Sequence, residues 1–131
     1  MGQPAAKMGD KVVGTDIHIV MIPSPGGPIP TPTPCPFNGT ITSGCSPDVL
    51  IAGSPAAVVG SIAMNSPPHI PAGGPFQVPP TNQGTITQGS PTVLIDGKPA
   101  ARMGDPVNTC NDPAPAPTSV VQATTATVLI A

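Results

Sequence analysis

Ile86 to Asp105 reads ITQGSPTVLIDGKPAARMGD. Within it, Thr92-Val93-Leu94-Ile95 is a β-branched, apolar run that predicts a strand. Asp96-Gly97 is a tight-turn signal, and Lys98 to Met103 carries the chain to a second turn at Gly104-Asp105. A strand, a turn and a return cannot bury an apolar face alone. The unit therefore calls for copies.

A second copy runs from Ile41 to Ser61, ITSGCSPDVLIAGSPAAVVGS. Val49-Leu50-Ile51 matches Val93-Leu94-Ile95, Gly53 matches Gly97, and Pro55-Ala56-Ala57 matches Pro99-Ala100-Ala101. One extra residue, placed at Cys45, separates the registers, and Gly-Thr precedes both copies as Gly39-Thr40 and Gly84-Thr85. The third copy is split. Gly2 to Asp10 matches Gly97 to Asp105, and Val121 to Ile130 matches Ile86 to Ile95. An array divided in this way predicts a closed ring, with Thr127 to Ile130 pairing beside the N-terminal segment and leaving no free edge there.

The 131 residues suffice for one domain, 1–131. With 22 Pro, 15 Gly, no Trp, no Tyr and only Phe37 and Phe76, the chain cannot fill a wide aromatic core. Such a composition also suits low-complexity disorder, but ordered repeats with Val, Leu and Ile runs argue for a narrow folded body. Four Lys/Arg against six Asp/Glu form no basic patch, which excludes a nucleic-acid surface. No stretch is long and apolar enough to span a bilayer, and MGQPAAKMGD lacks the apolar centre of a signal peptide.

No window has helical periodicity, so the chain is expected to be all-β. Ile17 to Ile22 reads as a short strand. Ile22 to Phe37 is so rich in proline that it can be neither helix nor central strand; polyproline-like extended chain lying along the body is the expected form. Ile62 to Pro80 and Pro106 to Ser119 read as loops, and Val120 to Ala131 as the closing strand.

Each copy is followed by a long loop that carries a metal-ligand side chain. His18 lies eight residues after Asp10, His69 eight after the equivalent Ser61, and Cys110 five after Asp105. Loops of a threefold ring meet near its axis, so these three side chains are expected to converge. Tetrahedral Zn takes four N and S ligands, and Cys35, in the longest loop, is the candidate for the fourth. Cys45 reads as a bulge residue, although a Cys35–Cys45 disulfide is an alternative. The chain has no Glu to serve as general base beside a metal, and no nucleophile elbow, His-Glu-x-x-His or phosphate loop. Asp16 and Asp112 lie near the ligands in sequence but read as solvated loop residues.

Pro4-Ala5-Ala6-Lys7, Pro55-Ala56-Ala57-Val58 and Pro99-Ala100-Ala101-Arg102 resemble the proline-alanine-alanine-arginine motif of the PAAR-repeat family, and the last matches in full. The resemblance covers nearly the whole chain. It implies a small cone of three pseudo-equivalent β units, seated on the trimeric β-helical spike of a contractile injection system. It also implies a structural Zn near the apex, usually held by three His and a Cys, which puts His18, His69 and Cys110 in the apical loops. The chain departs from the pattern in having two His. Its proline-rich first loop, SPGGPIPTPTPCPF, is like those of PAAR-like proteins from extracellular injection particles. Val58 and Ser61 also stand where the family has Arg and Asp.

The expected function is mechanical: a rigid point that caps the spike, one copy per trimer, and concentrates force on a target membrane. An adaptor that tethers effectors to the spike is the first alternative and a small Zn hydrolase the second. The chain is expected to be made in the bacterial cytoplasm and delivered within an injection particle. Since the closing strand comes last, no toxin domain is expected after the cone.

Overall fold

The computed structural model describes residues 2–71, 73–112, 114–123 and 128–131. Twelve strands and no helix are found among them: β1 (Gln3–Pro4), β2 (Lys11–Ile22), β3 (Ile29–Ser43), β4 (Leu50–Ile51), β5 (Ser54–Pro55), β6 (Ile62–Asn65), β7 (Gln83–Ile86), β8 (Leu94–Ile95), β9 (Lys98–Pro99), β10 (Pro106–Thr109), β11 (Ala116–Gln122) and β12 (Leu129–Ile130). Six of them close a barrel in the order β10-β11-β2-β3-β6-β7. The other six form three tiny hairpin sheets at one end, here called the proximal end.

Those three sheets are the sequence repeat. Leu50 pairs with Pro55, Leu94 with Pro99, and Leu129 with Pro4; Ile51 pairs with Ser54, Ile95 with Lys98, and Ile130 with Gln3. The expected union of the two termini is thus formed by β1 and β12, in the register of the other two hairpins; Thr127 lies outside the described residues. In the β8–β9 hairpin Asp96 and Gly97 both have positive φ, 53° and 80°. These are the angles of the turn whose twist suits a two-residue hairpin. Ala52 and Gly53 repeat them at 50° and 85°, although alanine has no preference for that region.

Closure is written in the backbone. Ala6 N–H donates to Ala101 O, Ala101 N–H to Ala57 O, and Ala57 N–H to Ala6 O, each at 3.0 Å, so three hydrogen bonds run head to tail around the axis. A second ring follows, with Met8, Val59 and Met103 donating to Pro55, Pro99 and Pro4 at 2.8–3.0 Å. Only the small Ala side chain allows three backbones to approach this closely, which is why Pro-Ala-Ala recurs. The trios Ala5/Ala56/Ala100 and Ala6/Ala57/Ala101 are fully buried. Below the first trio lie Ile51, Ile95 and Ile130; above the second lie Ile41, Ile86 and Val121, then Val12, Ala63 and Val107. Phe37 tops this stack. A Cβ on Gly39 would come within 2.5 Å of its ring and one on Gly84 within 3.4 Å, so the glycines before Thr40 and Thr85 make room for it.

The turn after each Pro-Ala-Ala is tied by the residue six positions past the proline. Asp10 accepts from Lys7 N–H at 3.0 Å and from its ammonium at 2.6 Å. Asp105 likewise accepts from Arg102 N–H at 2.6 Å and from its guanidinium at 3.0 Å. In the remaining copy Ser61 Oγ accepts from Val58 N–H at 2.9 Å. Cation and anion are lost together there, so no charge is buried alone and the capping hydrogen bond survives.

Several sequence expectations are corrected. Lys11–Ile22 is one strand, not only its last part, and the expected loops after Ile62 and Pro106 begin as barrel strands β6 and β10. The later one also ends in a strand, β11. The proline-rich run is no loose polyproline segment: from Ile29 it is β3, paired residue for residue with β2. The reason is the period of its prolines. N–H groups of Ile17, Ile19 and Met21 point away from β3, to Asn111 Oδ1, Asp112 Oδ2 and Pro75 O. Their opposite numbers Pro34, Pro32 and Pro30 therefore occupy the non-hydrogen-bonded pairs, where a missing N–H costs nothing. The bulge expected at Cys45 lies between Ile41 and Ser43 instead, with Gly44 at φ +74° completing it. All three cysteines are free, so Cys35 and Cys45 form no disulfide.

Thr15 to Ile22 of β2 extends past its pairing with β11 and, with β3, projects beyond the barrel as a long hairpin. Its other edge is covered by Phe76, which bridges to Val20, and by Asn111-Asp112. This is the distal end.

Candidate metal centre

Where the hairpin leaves the barrel, Asp16 and His18 project from the same face of β2, two residues apart. His69 arrives from the segment after β6, and Cys110 from the end of β10. One ligand atom from each of Asp16, His18, His69 and Cys110 lies within 4.8 Å of all the others. Asp16 and His18 are fully buried, and the His69 side chain is 2% exposed. Among the sequence candidates, His18, His69 and Cys110 are brought together. Cys35 stays outside the group, opposite Asp16 on β3, with its thiol 3.7 Å from Thr33 O. Asp16, read from sequence as a solvated residue, takes the fourth place.

Three of the six spacings among these atoms match a tetrahedral ion. Bonds of about 2.0–2.3 Å put the corners of a tetrahedron about 3.3–3.7 Å apart. Asp16 Oδ2 is 3.3 Å from His69 Nε2 and 3.4 Å from Cys110 Sγ, which is 3.7 Å from His18 Nε2. Two imidazoles, a thiol and a carboxylate are ligands that Zn accepts.

Further groups hold these four in place. Asp112 Oδ2 lies 3.3 Å from His18 Nδ1, which leaves Nε2 facing Cys110. A carboxylate behind a ligand histidine orients the ring and raises its basicity. Asp112 also accepts from Ile19 N–H at 3.1 Å, so the covering loop is latched to β2. Asp16 Oδ1 accepts from the hydroxyls of Thr109 and of Thr118, the latter at 2.8 Å, and Oδ2 remains for the centre. Asn82 Oδ1 accepts from His69 N–H at 2.8 Å and from Asn65 Nδ2 at 3.1 Å, and Asn65 Nδ2 lies 3.3 Å from His69 Nδ1. Both phenylalanines of the chain flank the imidazoles, Phe76 at 5.5 Å from the His18 ring and Phe37 at 6.2 Å from that of His69. Among the described residues no buried side-chain polar atom lacks a partner.

Sequence reasoning did not find Asn65, Asn82, Thr109 and Thr118. A usable signal for Asp16 did exist, since Asp-x-His within a strand puts both side chains on one face.

Burial pushes the Cys110 thiol up to about 11, with the nearby Asp16 charge as the next cause. Desolvation lowers the His69 pKa against the opposing effect of the hydrogen bond it makes to Asp16, which favours the neutral imidazole that can ligate. A cation would reverse the balance at Cys110, because a metal-bound thiol is deprotonated. Such a set can bind an ion and pin the β2–β3 hairpin to the segments that carry His69 and Cys110.

Residues 76–131, which hold the Ile86–Asp105 copy and the C-terminal part of the split one, match the family model of the PAAR motif. No curated protein matches the chain. This part of the chain thus resembles PAAR-repeat proteins, the spike tips of contractile injection systems, and the other Pro-Ala-Ala turns stand on the same threefold ring.

Proposed function

We propose that the chain caps the trimeric spike of such a system as its sharpened end, one copy per trimer. One observation carries the reading: the proximal end presents three leucines in pseudo-threefold positions, Leu50, Leu94 and Leu129, exposed by 60%, 63% and 59%. Pseudo-equivalent apolar side chains left equally bare on one face match the end of a threefold partner. A closed ring lets a single chain meet three identical subunits in the same way.

The distal end suits the opposite task. From Ile19 to Pro34 there is no charged residue, and the β2–β3 hairpin ends in the Pro23–Pro28 turn. A stiff, uncharged hairpin pays no desolvation of ions when driven against a membrane. Asp16, His18, His69 and Cys110 would hold Zn at the root of this hairpin, where the ion would supply a structural cross-link between β2 and the segments that carry His69 and Cys110. The role is mechanical rather than enzymatic. The tip is made in the cytoplasm and leaves with the particle.

Native mass measurement of the tip bound to its spike is the test. One tip per trimer is expected, and Leu50→Asp, Leu94→Asp and Leu129→Asp together should abolish the complex while the free tip keeps its melting temperature. Three tips per trimer, or unweakened binding by the triple variant, would overturn the assignment.

A further inference from the structure

Cys35 is not among the four clustered ligands, yet its position is not neutral. It sits directly opposite Asp16 in the β2–β3 ladder. N–H groups of β2 at 17, 19 and 21 point outward, so Asp16 and Cys35 form a hydrogen-bonded pair. The two side chains of such a pair stand on the same face, with Cα atoms about 5.5 Å apart. Cys35 is 6% exposed, and its thiol makes a long contact of 3.7 Å to Thr33 O.

Cys35 also lines an open groove of about 460 Å³ on the outside of the hairpin. The walls are Pro34, Pro36, Pro67, Pro68 and Ile70, and His69 is shared between this groove and the buried cluster. His18 and Asp16 are fully buried and line no part of it. An ion arriving from solvent on this side thus meets one thiol and one imidazole before it reaches the other three ligands.

We propose that Cys35 is a capture ligand for the metal: an incoming divalent ion binds first to Cys35 and His69 in the groove, then passes inward as Asp16 replaces Cys35. This rests on the cluster being a metal centre. The exchange is balanced. The ion displaces a proton from the Cys35 thiol to water on capture; when the Asp16 carboxylate bonds to the ion and the metal–sulfur bond breaks, the freed thiolate takes a proton back from water. Oxidation states do not change. A soft thiolate suits rapid capture of a borderline-soft ion. The carboxylate, fixed by Thr109 and Thr118, suits permanent tenure.

The full chain is stripped with a chelator and mixed with Co²⁺, and thiolate-to-metal absorption is followed in time. The parent is expected to load one ion and to end with the absorption of one thiolate. Cys35→Ser and Cys35→Ala should load at least fivefold more slowly and reach the same stoichiometry and the same final spectrum. Maleimide labelling of Cys35, mapped by mass, should proceed at the same rate in the stripped and the loaded parent, while that of Cys110 falls on loading. Loading of both variants at the parent rate would overturn capture alone. Loss of the ion from both variants, or a fall in Cys35 labelling on loading equal to that of Cys110, would make it a resident ligand and overturn the exchange. A parent that takes up no ion would overturn the metal centre itself, and capture with it.

Discussion

The ring can be tested at one layer of its core. Ile51, Ile95 and Ile130 occupy equivalent places and are 4%, 8% and 5% exposed. Each packs under the alanine trio, whose backbone N–H groups are held at 2.9–3.0 Å by Val49, Val93 and Val128 carbonyls. Truncating a buried isoleucine to alanine costs about 2–5 kcal/mol, depending on how far the site collapses. Here the neighbouring alanines are pinned by hydrogen bonds and cannot close in, so about 3 kcal/mol is expected for each of Ile51→Ala, Ile95→Ala and Ile130→Ala. That is a large share of the roughly 5–15 kcal/mol of a typical domain, and lowers Tm by about 10 °C. Urea unfolding of the three variants, at unchanged m-value, reads it directly. A ring demands three costs that agree within about 1 kcal/mol, although Ile130 is the penultimate residue and chain ends commonly fray. A cost under about 0.5 kcal/mol for Ile130→Ala, beside about 3 for the other two, would refute closure by the terminal strands.

Three further outcomes are expected. Ala52 has φ +50° where its counterpart Asp96 has +53°, so Ala52→Asn should stabilise by up to about 1 kcal/mol in the same urea assay. In the metal-free chain the Cys110 thiol is raised from 9.0 to about 11, so the stability it confers is present below pH 9 and is lost as pH rises towards 11; melting curves across that window should fall for the stripped chain and stay flat for the loaded one, whose thiolate is already formed. The outward edge of β3 has no N–H donor at Pro30, Pro32 or Pro34; Pro32→Val with Pro34→Val restores two donors without disturbing the β2 pairs, and should produce concentration-dependent association by light scattering.

What the sequence by itself determined was the ring. The match of Leu50, Leu94 and Leu129, and the split of one repeat between the two termini, are properties of residue order. A strand that ends where another copy's return begins has one way to bury its face. The equal offsets of His18 and His69 pointed, for the same reason, to one meeting place, although His18 reaches it on strand β2 and not on a loop. Residue order could not tell which surfaces those loops would cover. Asp16 reads like any solvated aspartate, and only the loops around His69 and Cys110, folded back on an overlong β2, remove it from water and put its oxygen among the ligands. The prolines of β3 tell the same story. Every second N–H is missing, which rules out a strand between two neighbours, but whether the chain is then an edge strand or a free polyproline segment depends on a partner β2 long enough to pair with it. Repetition is local information and survives in the chain, whereas burial belongs to no residue until the whole is assembled.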